Sequence, residues 1–360
     1  MNEKEYLPLY WKEHFTSPYE NVFKNLSVQE MRILTEDKYP DFRKEMVLKK
    51  KPKVQQAVIE SDIADKQIEL LTDMNIYSLL AVWNKNKQIF KMDGDFLEEL
   101  MKTETIHFSK NAWNFLPCDT FYIDISENQK ICQQTGTDGF FVRVTECPKY
   151  EAWQIHIVRT VGREKLDYGN TYAWNKDMEL NVADIKDDSE NELLNTISAD
   201  GNLLKPDSDT TTKEERVFMS VLVAQLLTYL ASVEPDVRES ETVPESAEQK
   251  EPAKKQKKSA MKDTQKKQPA VKLWNVGLRF GSSFRKWKNS HTGTEHSESA
   301  ETGRKVRPHH RNAHWQNYWY GKKDGSEERI RRPKWVNGCF VNMNLVSDTE
   351  ELPAVIHAVA

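Results

Sequence analysis

Cysteine is scarce. Cys118, Cys132, Cys147 and Cys339 are four thiols in 360 residues, with no CxxC pair and no paired zinc-type spacing. That excludes a disulfide scaffold and argues for free thiols in a reducing compartment. No apolar core of a secretion signal stands in "MNEKEYLPLYWKEH", so the expected setting is the cytosol. Long apolar runs are missing too. The strongest, "VFMSVLVAQLLTYLASV" (217–233), is 17 residues and interrupted by Ser, Gln and Thr, short of a comfortable membrane span. It reads as a helix apolar around most of its girth and buried inside the protein. There is no Walker glycine loop, no GxSxG, no HExxH and no fixed-period repeat, which removes the motif-bearing hydrolases and the solenoids.

What is present is charge, unevenly placed. The net charge is −4, yet residues 271–342 carry 15 Lys and Arg against 6 Asp and Glu. An acidic body with a basic C-terminal region is the informative description. Hydrophobic residues at 38% still suffice for a core, and the length allows two compact parts.

The first hundred residues read as helix. In 54–83 the apolar series Val54, Val58, Ile59, Ile63, Ile68, Leu71, Met74 and Leu79 makes a broad helical stripe. A shorter helix is predicted in "DFLEELMKT", with Asp95 as its cap. The period then changes to two. "TFYIDIS" (120–126), "GFFVRVTE" (139–146) and "AWQIHIVRT" (152–160) alternate and predict an antiparallel meander, with His156 as a sheet-face residue. Segment 239–270 has Val243 and Met261 as its large apolar residues and predicts a disordered charged linker. Beyond it, "KLWNVGLRFGSSFRKW" reads as strand and turn. The expectation is an α+β fold: a helical and meander body over 1–238, the linker, and a small basic aromatic β-rich module over 271–360.

In that module, "RPHHRNAHWQNYWYG" (307–321) packs histidines, arginines and rings together. With "RIRRPKWVNGCFVN" and the turn-rich "GKKDGSEE" it predicts a β-hairpin. Trp315 and Trp319 would face one side; His314, Gln316, Tyr318 and Tyr320 the other. Pro333 marks the returning strand as an edge or as broken there. Three chemistries use such residues. Metal binding would need His310 and His314 on one helical face plus a third ligand; no third ligand stands at a characteristic spacing, so no metal and no cofactor is expected. Phosphodiester cleavage would use His309 and His314 as acid and base beside arginine. Binding would use cations on phosphates or acidic side chains and rings on bases or in hot spots. Against all three stands packing, with Trp315, Trp319 and Trp335 as the core of a small hairpin.

The motif Arg307, Pro308, His309, Arg311, His314, Trp315, Tyr318, Trp319 and Gly321, closed by Trp335 and Phe340-Val341-Asn342, resembles a family carried by phages, plasmids and other mobile elements. That family includes the type V-A anti-CRISPR protein that silences production of the effector nuclease. "LPCDTFYIDIS" (116–126), "LLTYLASVEPDV" (226–237) and "GLRFG" (277–281) echo it in the same order. Departures fall at Gln316, in place of a second histidine, and at Asn337-Gly338. The resemblance implies a protein of the bacterial host cytoplasm that binds the effector's nascent polypeptide or its ribosome-associated mRNA. RNA itself is the alternative partner and an RNA-cleaving enzyme the alternative function. Its implied binding residues are Arg307, His309, Arg311, His314, Trp315, Tyr318, Trp319, Trp335 and Asn342.

Overall fold

The computed structural model describes residues 6–36, 39–60, 64–103, 112–147, 152–175, 213–240, 270–291, 309–311, 313–324, 326, 329–336, 338–341 and 354–355. Helices come first, as the 3.6-residue period predicts: Leu7–His14, Glu20–Phe23, Val28–Thr35, Asp41–Lys50, Pro52–Glu60 and Ala64–Asn86. Ser27 and Glu30 close a capping box on the third, each side chain taking up the other's backbone N–H.

The sheet has seven strands: β1 (Gln88–Met92), β2 (Thr120–Asp124), β3 (Gly139–Cys147), β4 (Ala152–Val161), β5 (Lys165–Asn175), β6 (Val237–Glu239) and β7 (Lys272–Val276), in the order β5-β4-β3-β2-β1-β7-β6. The meander is present as β2 to β5, all antiparallel. The sheet as a whole is mixed, because β1 runs parallel to both β2 and β7. Here the structure corrects the sequence reading of 272–287. Its first residues are an inner strand of the main sheet, and Leu278–His291 is a helix rather than a turn. The proposed linker lies almost wholly in 241–269, outside the described residues.

Alternation puts different side chains on the two sheet faces. Phe90, Phe121, Ile123, Phe140, Val142 and Ile155 join helices Gly94–Met101 and Lys213–Ala231 in the larger core. Ile89, Tyr122, Phe141, Val158 and Leu273 pack with Ile76, Leu79, Leu80 and Trp83 of helix Ala64–Asn86. Helix Lys213–Ala231 is buried along most of its length, as its apolar girth predicts. Among the described residues, no helix is long and apolar enough to cross a membrane.

Two polar features sit inside this packing. Asp93, rather than Asp95, caps helix Gly94–Met101, accepting from the N–H groups of Asp95 and Phe96. Its second oxygen takes Arg285 Nη2 at 2.8 Å. The negative charge therefore complements the positive helix end and a guanidinium together, and with the Asp95 carboxylate, 2.7 Å from Arg285 Nη1, it holds Arg285 above its ordinary pKa. On the other face, Arg143 Nη1 donates to Ser78 Oγ at 3.0 Å and stands 3.9 Å from the Glu36 carboxylate, which also pairs with Arg32. His156 lies opposite Arg143 in register and is buried. Burial first, and the Arg143 charge second, push its imidazole well below its usual pKa.

Candidate target-contact surface

The predicted hairpin forms from β9 (His314–Tyr320) and β10 (Ile330–Val336), antiparallel, with Trp315 opposite Trp335 and Trp319 opposite Arg331. Pro333 is tolerated for a local reason. Its carbonyl points away from β9 and accepts Val233 N–H at 3.0 Å. In an antiparallel pair the N of the same residue points the same way, so proline deletes no ladder bond.

The base of the hairpin is welded to the body. The Trp335 ring is 7% exposed, within 6.1 Å of Phe96, 6.3 Å of Tyr229 and 5.0 Å of Trp315 by centroid. Trp315 Nε1 donates to Gln225 Oε1 at 3.0 Å, and Gln225 Nε2 donates onward to the Thr103 hydroxyl and carbonyl. Arg332 Nη2 donates to the carbonyl of Ala231, satisfying an orphan acceptor at the end of helix Lys213–Ala231. Its guanidinium lies 3.5 Å over the Phe115 ring, and burial lowers its pKa. Lys334 Nζ donates to Glu234 at 2.9 Å. Each member of this exposed pair favours the charged form of the other.

The tip is different. Tyr318, Trp319 and Tyr320 are among the most exposed large rings described, Trp319 at 58%. Arg329 lies over Trp319, 5.5 Å from its centroid, leaving a cation and a π-surface together in solvent. Tyr318 donates to Gln316 Oε1 at 2.7 Å, so the glutamine steadies a ring edge. Asp324 accepts from Ser326 Oγ and N–H in the turn, which lowers its pKa.

The predicted site residues therefore divide. Trp315 and Trp335 are anchors; His314, Tyr318 and Trp319 stand exposed. His309 and Arg311 are on β8 (His309–Arg311), whose backbone pairs with β11 (Cys339–Val341) and β12 (Ala354–Val355), in a sheet separate from the hairpin. Thus His310 and His314 share no helix, which takes away the spacing on which a metal reading would rest. Arg307 and Asn342 lie outside the described residues. Sequence reasoning missed Gln225, Tyr229 and Phe115 as partners of the hairpin, and Arg329 and Arg332 as its own contributing cations. A glutamine and a tyrosine inside an otherwise apolar helix were the available signal.

The stretches that carried the resemblance also meet. Tyr229 Oη accepts from Asp236 N–H at 2.9 Å, and the Asp236 carboxylate accepts from Arg279 N–H at 2.8 Å and Nε at 2.6 Å. The AcrVA2-like family, described as the anti-CRISPR type V subtype A2 family, matches residues 90–343. The chain belongs to that family. A solved structure described as the crystal structure of AcrVA2 is similar over 93% of this chain and 97% of that one, at 16% identity and a TM-score of 0.49. No curated protein matches this sequence. Within this anti-CRISPR family member, the matched span takes in most of the seven-stranded sheet, the buried helix and the whole hairpin.

Proposed function

We propose that this anti-CRISPR family member lowers production of a CRISPR effector by binding it as it is made, either the nascent polypeptide or its mRNA, through the tip of the β9–β10 hairpin. One observation carries the reading. A two-stranded ribbon fixed at its base by Trp315, Trp335 and Arg332 holds Tyr318, Trp319 and Tyr320 out in solvent beside Arg329. Rings and arginine on a rigid support are the composition of an interface hot spot, because little conformational entropy is lost on contact. The family match supports the anti-CRISPR setting.

The test pairs effector silencing in cells with capture of the effector's peptide and mRNA by tagged protein. Trp319→Ala with Arg329→Gln should weaken capture roughly thirtyfold, the worth of a hot spot of about 2 kcal/mol, with melting unchanged. Full silencing by that double variant would sink the assignment of the tip. RNA decay with purified protein alone, lost in His314→Gln, would favour the ribonuclease instead.

A further inference from the structure

A second surface lies in the N-terminal helices, outside the residues that match the family and on a different element from the hairpin. From Arg43 to Lys53 the chain carries six cations, Arg43, Lys44, Lys49, Lys50, Lys51 and Lys53, against one acid, Glu45. Helix Asp41–Lys50 turns Val47 and Leu48 inward, onto a small cluster with Leu26, Met31 and Val54. At 100° per residue the opposite face is then centred on Phe42 and Met46, one turn apart. Both are far out of the core, at 61% and 51% exposure.

The cations around these two side chains fall into two groups. Lys51 is structural, since its Nζ donates to the Asn25 carbonyl at 2.6 Å and pairs with Glu30. Lys49 faces only the exposed Glu45, at 3.8 Å. Arg43, Lys50 and Lys53 are exposed and have no carboxylate partner among the described residues. The helix therefore presents an exposed ring with Arg43 beside it and Lys50 two turns on, Lys53 following on the next helix, and two acids of its own, Asp41 and Glu45, on a chain whose net charge is negative.

We infer that this face binds a single-stranded polynucleotide, with the cations on phosphates and Phe42 stacked on a base. The composition favours this over an acidic protein. A protein interface of standard size desolvates its centre and is depleted of lysine there. Here the exposed cations are Arg43 and Lys50 on the helix that carries Phe42 and Lys53 on the next, and burying their charged groups would be costly. A phosphate backbone stays hydrated and accepts lysine as a point charge. Phe42, standing free of the surface, needs an unstacked base, which a duplex does not offer. The acidic body around this patch disfavours the strand nearby, and the basic region 271–342 is the competing cationic surface that the hairpin variant below controls for.

The experiment is fluorescence anisotropy of the full chain with labelled mixed-sequence 20-mers, one RNA and one DNA, across a salt series. Wild type should bind the single strands, more weakly as salt rises. Arg43→Gln, Lys50→Gln and Lys53→Gln together should lower affinity by at least tenfold. They should also cut the log–log salt slope by about 2, since each phosphate contact contributes about 0.7. Phe42→Ala should cost about tenfold with the slope unchanged. These positions are exposed, and circular dichroism of each variant checks that the helices persist. No binding by wild type overturns the inference, as does an unchanged slope in the triple variant. Binding of a glutamate homopolymer in place of the 20-mers would assign the face to an acidic protein. If Trp319→Ala abolishes 20-mer binding while the triple variant keeps it, the polynucleotide belongs to the hairpin and this proposal falls. Loss in the triple variant alone leaves the hairpin's reading standing.

Discussion

Trp315 and Trp319 lie four residues apart on the same face of the same strand, yet one is packed against Trp335 and Tyr229 while the other is 58% exposed. The difference is reach. Helix Lys213–Ala231 ends at Ala231, close to Arg332, and among the described residues the rings further out, Trp319 and Tyr320, join no core cluster. A parallel contrast holds for histidine: His156 is buried beside Arg143, and His314 is exposed at the hairpin's first residue. Residue type therefore says little about role here; distance from the end of the buried helix says more. That distance separates the two tryptophans; His314, at the base, is exposed because it lies on the strand face opposite Trp315.

The largest expected effect breaks the ring comparison at its base. Trp335→Ala removes a buried indole from between Phe96, Tyr229 and Trp315, and should cost about 3–5 kcal/mol, the usual range for such cavities. Trp319→Ala removes an exposed one and should change stability by no more than about 0.5 kcal/mol. Chemical denaturation of the two variants checks the pair. Comparable losses would mean that the tip is packed after all.

The second expectation concerns how the chain returns to the sheet. β6 and β7 are antiparallel neighbours, and Ser240 N–H donates to the Leu273 carbonyl at 2.7 Å, so the chain leaves β6 beside the start of β7. The segment 241–269 connects these two neighbouring ends. Limited proteolysis should cut first within it, as its charged composition predicts. The two fragments should still elute together, because β7 is hydrogen-bonded between β1 and β6. Replacing the loop by about five residues, including glycine, should raise stability by roughly 1.5 kcal/mol through the smaller closure entropy. Fragments that separate on gel filtration would contradict the placement of β7.

That placement also marks where the sequence was legible and where it was not. Helices and meander strands announce themselves by local period, and β2 to β4 appear within a residue or two of the predicted runs. The parallel partners of β1 are set by contacts across some thirty residues to β2 and more than a hundred to β7, for which no local pattern exists. Helix Leu278–His291 was missed because Gly281 and its serines look like a turn. In the structure Gly281 is required by closeness: a Cβ there would overlap the Asp93 carboxylate. Gly277 has φ +78°, and a side chain there would strike Phe96. In the hairpin, alternation gave the facing of each ring but could not tell which rings the core would reach.

The smallest effect sharpens the histidine comparison. Burial and the Arg143 charge hold His156 neutral, with a folded pKa well below the unfolded value of about 6.5. A depressed pKa means that the unfolded chain binds the proton more readily. The stability that His156 permits is therefore complete above pH 6.5 and declines as pH falls through that value toward the folded pKa. The decline should amount to about 1.4 kcal/mol for each pH unit in that window. In His156→Gln the titrating group is gone, so the same scan should lose that share of its slope, even if the variant starts less stable. The readout is the difference in slope between the two proteins from pH 7.5 to 5.5, not their absolute stability. Identical slopes would mean that His156 takes up a proton in the folded sheet, and that its neighbours accommodate the charge.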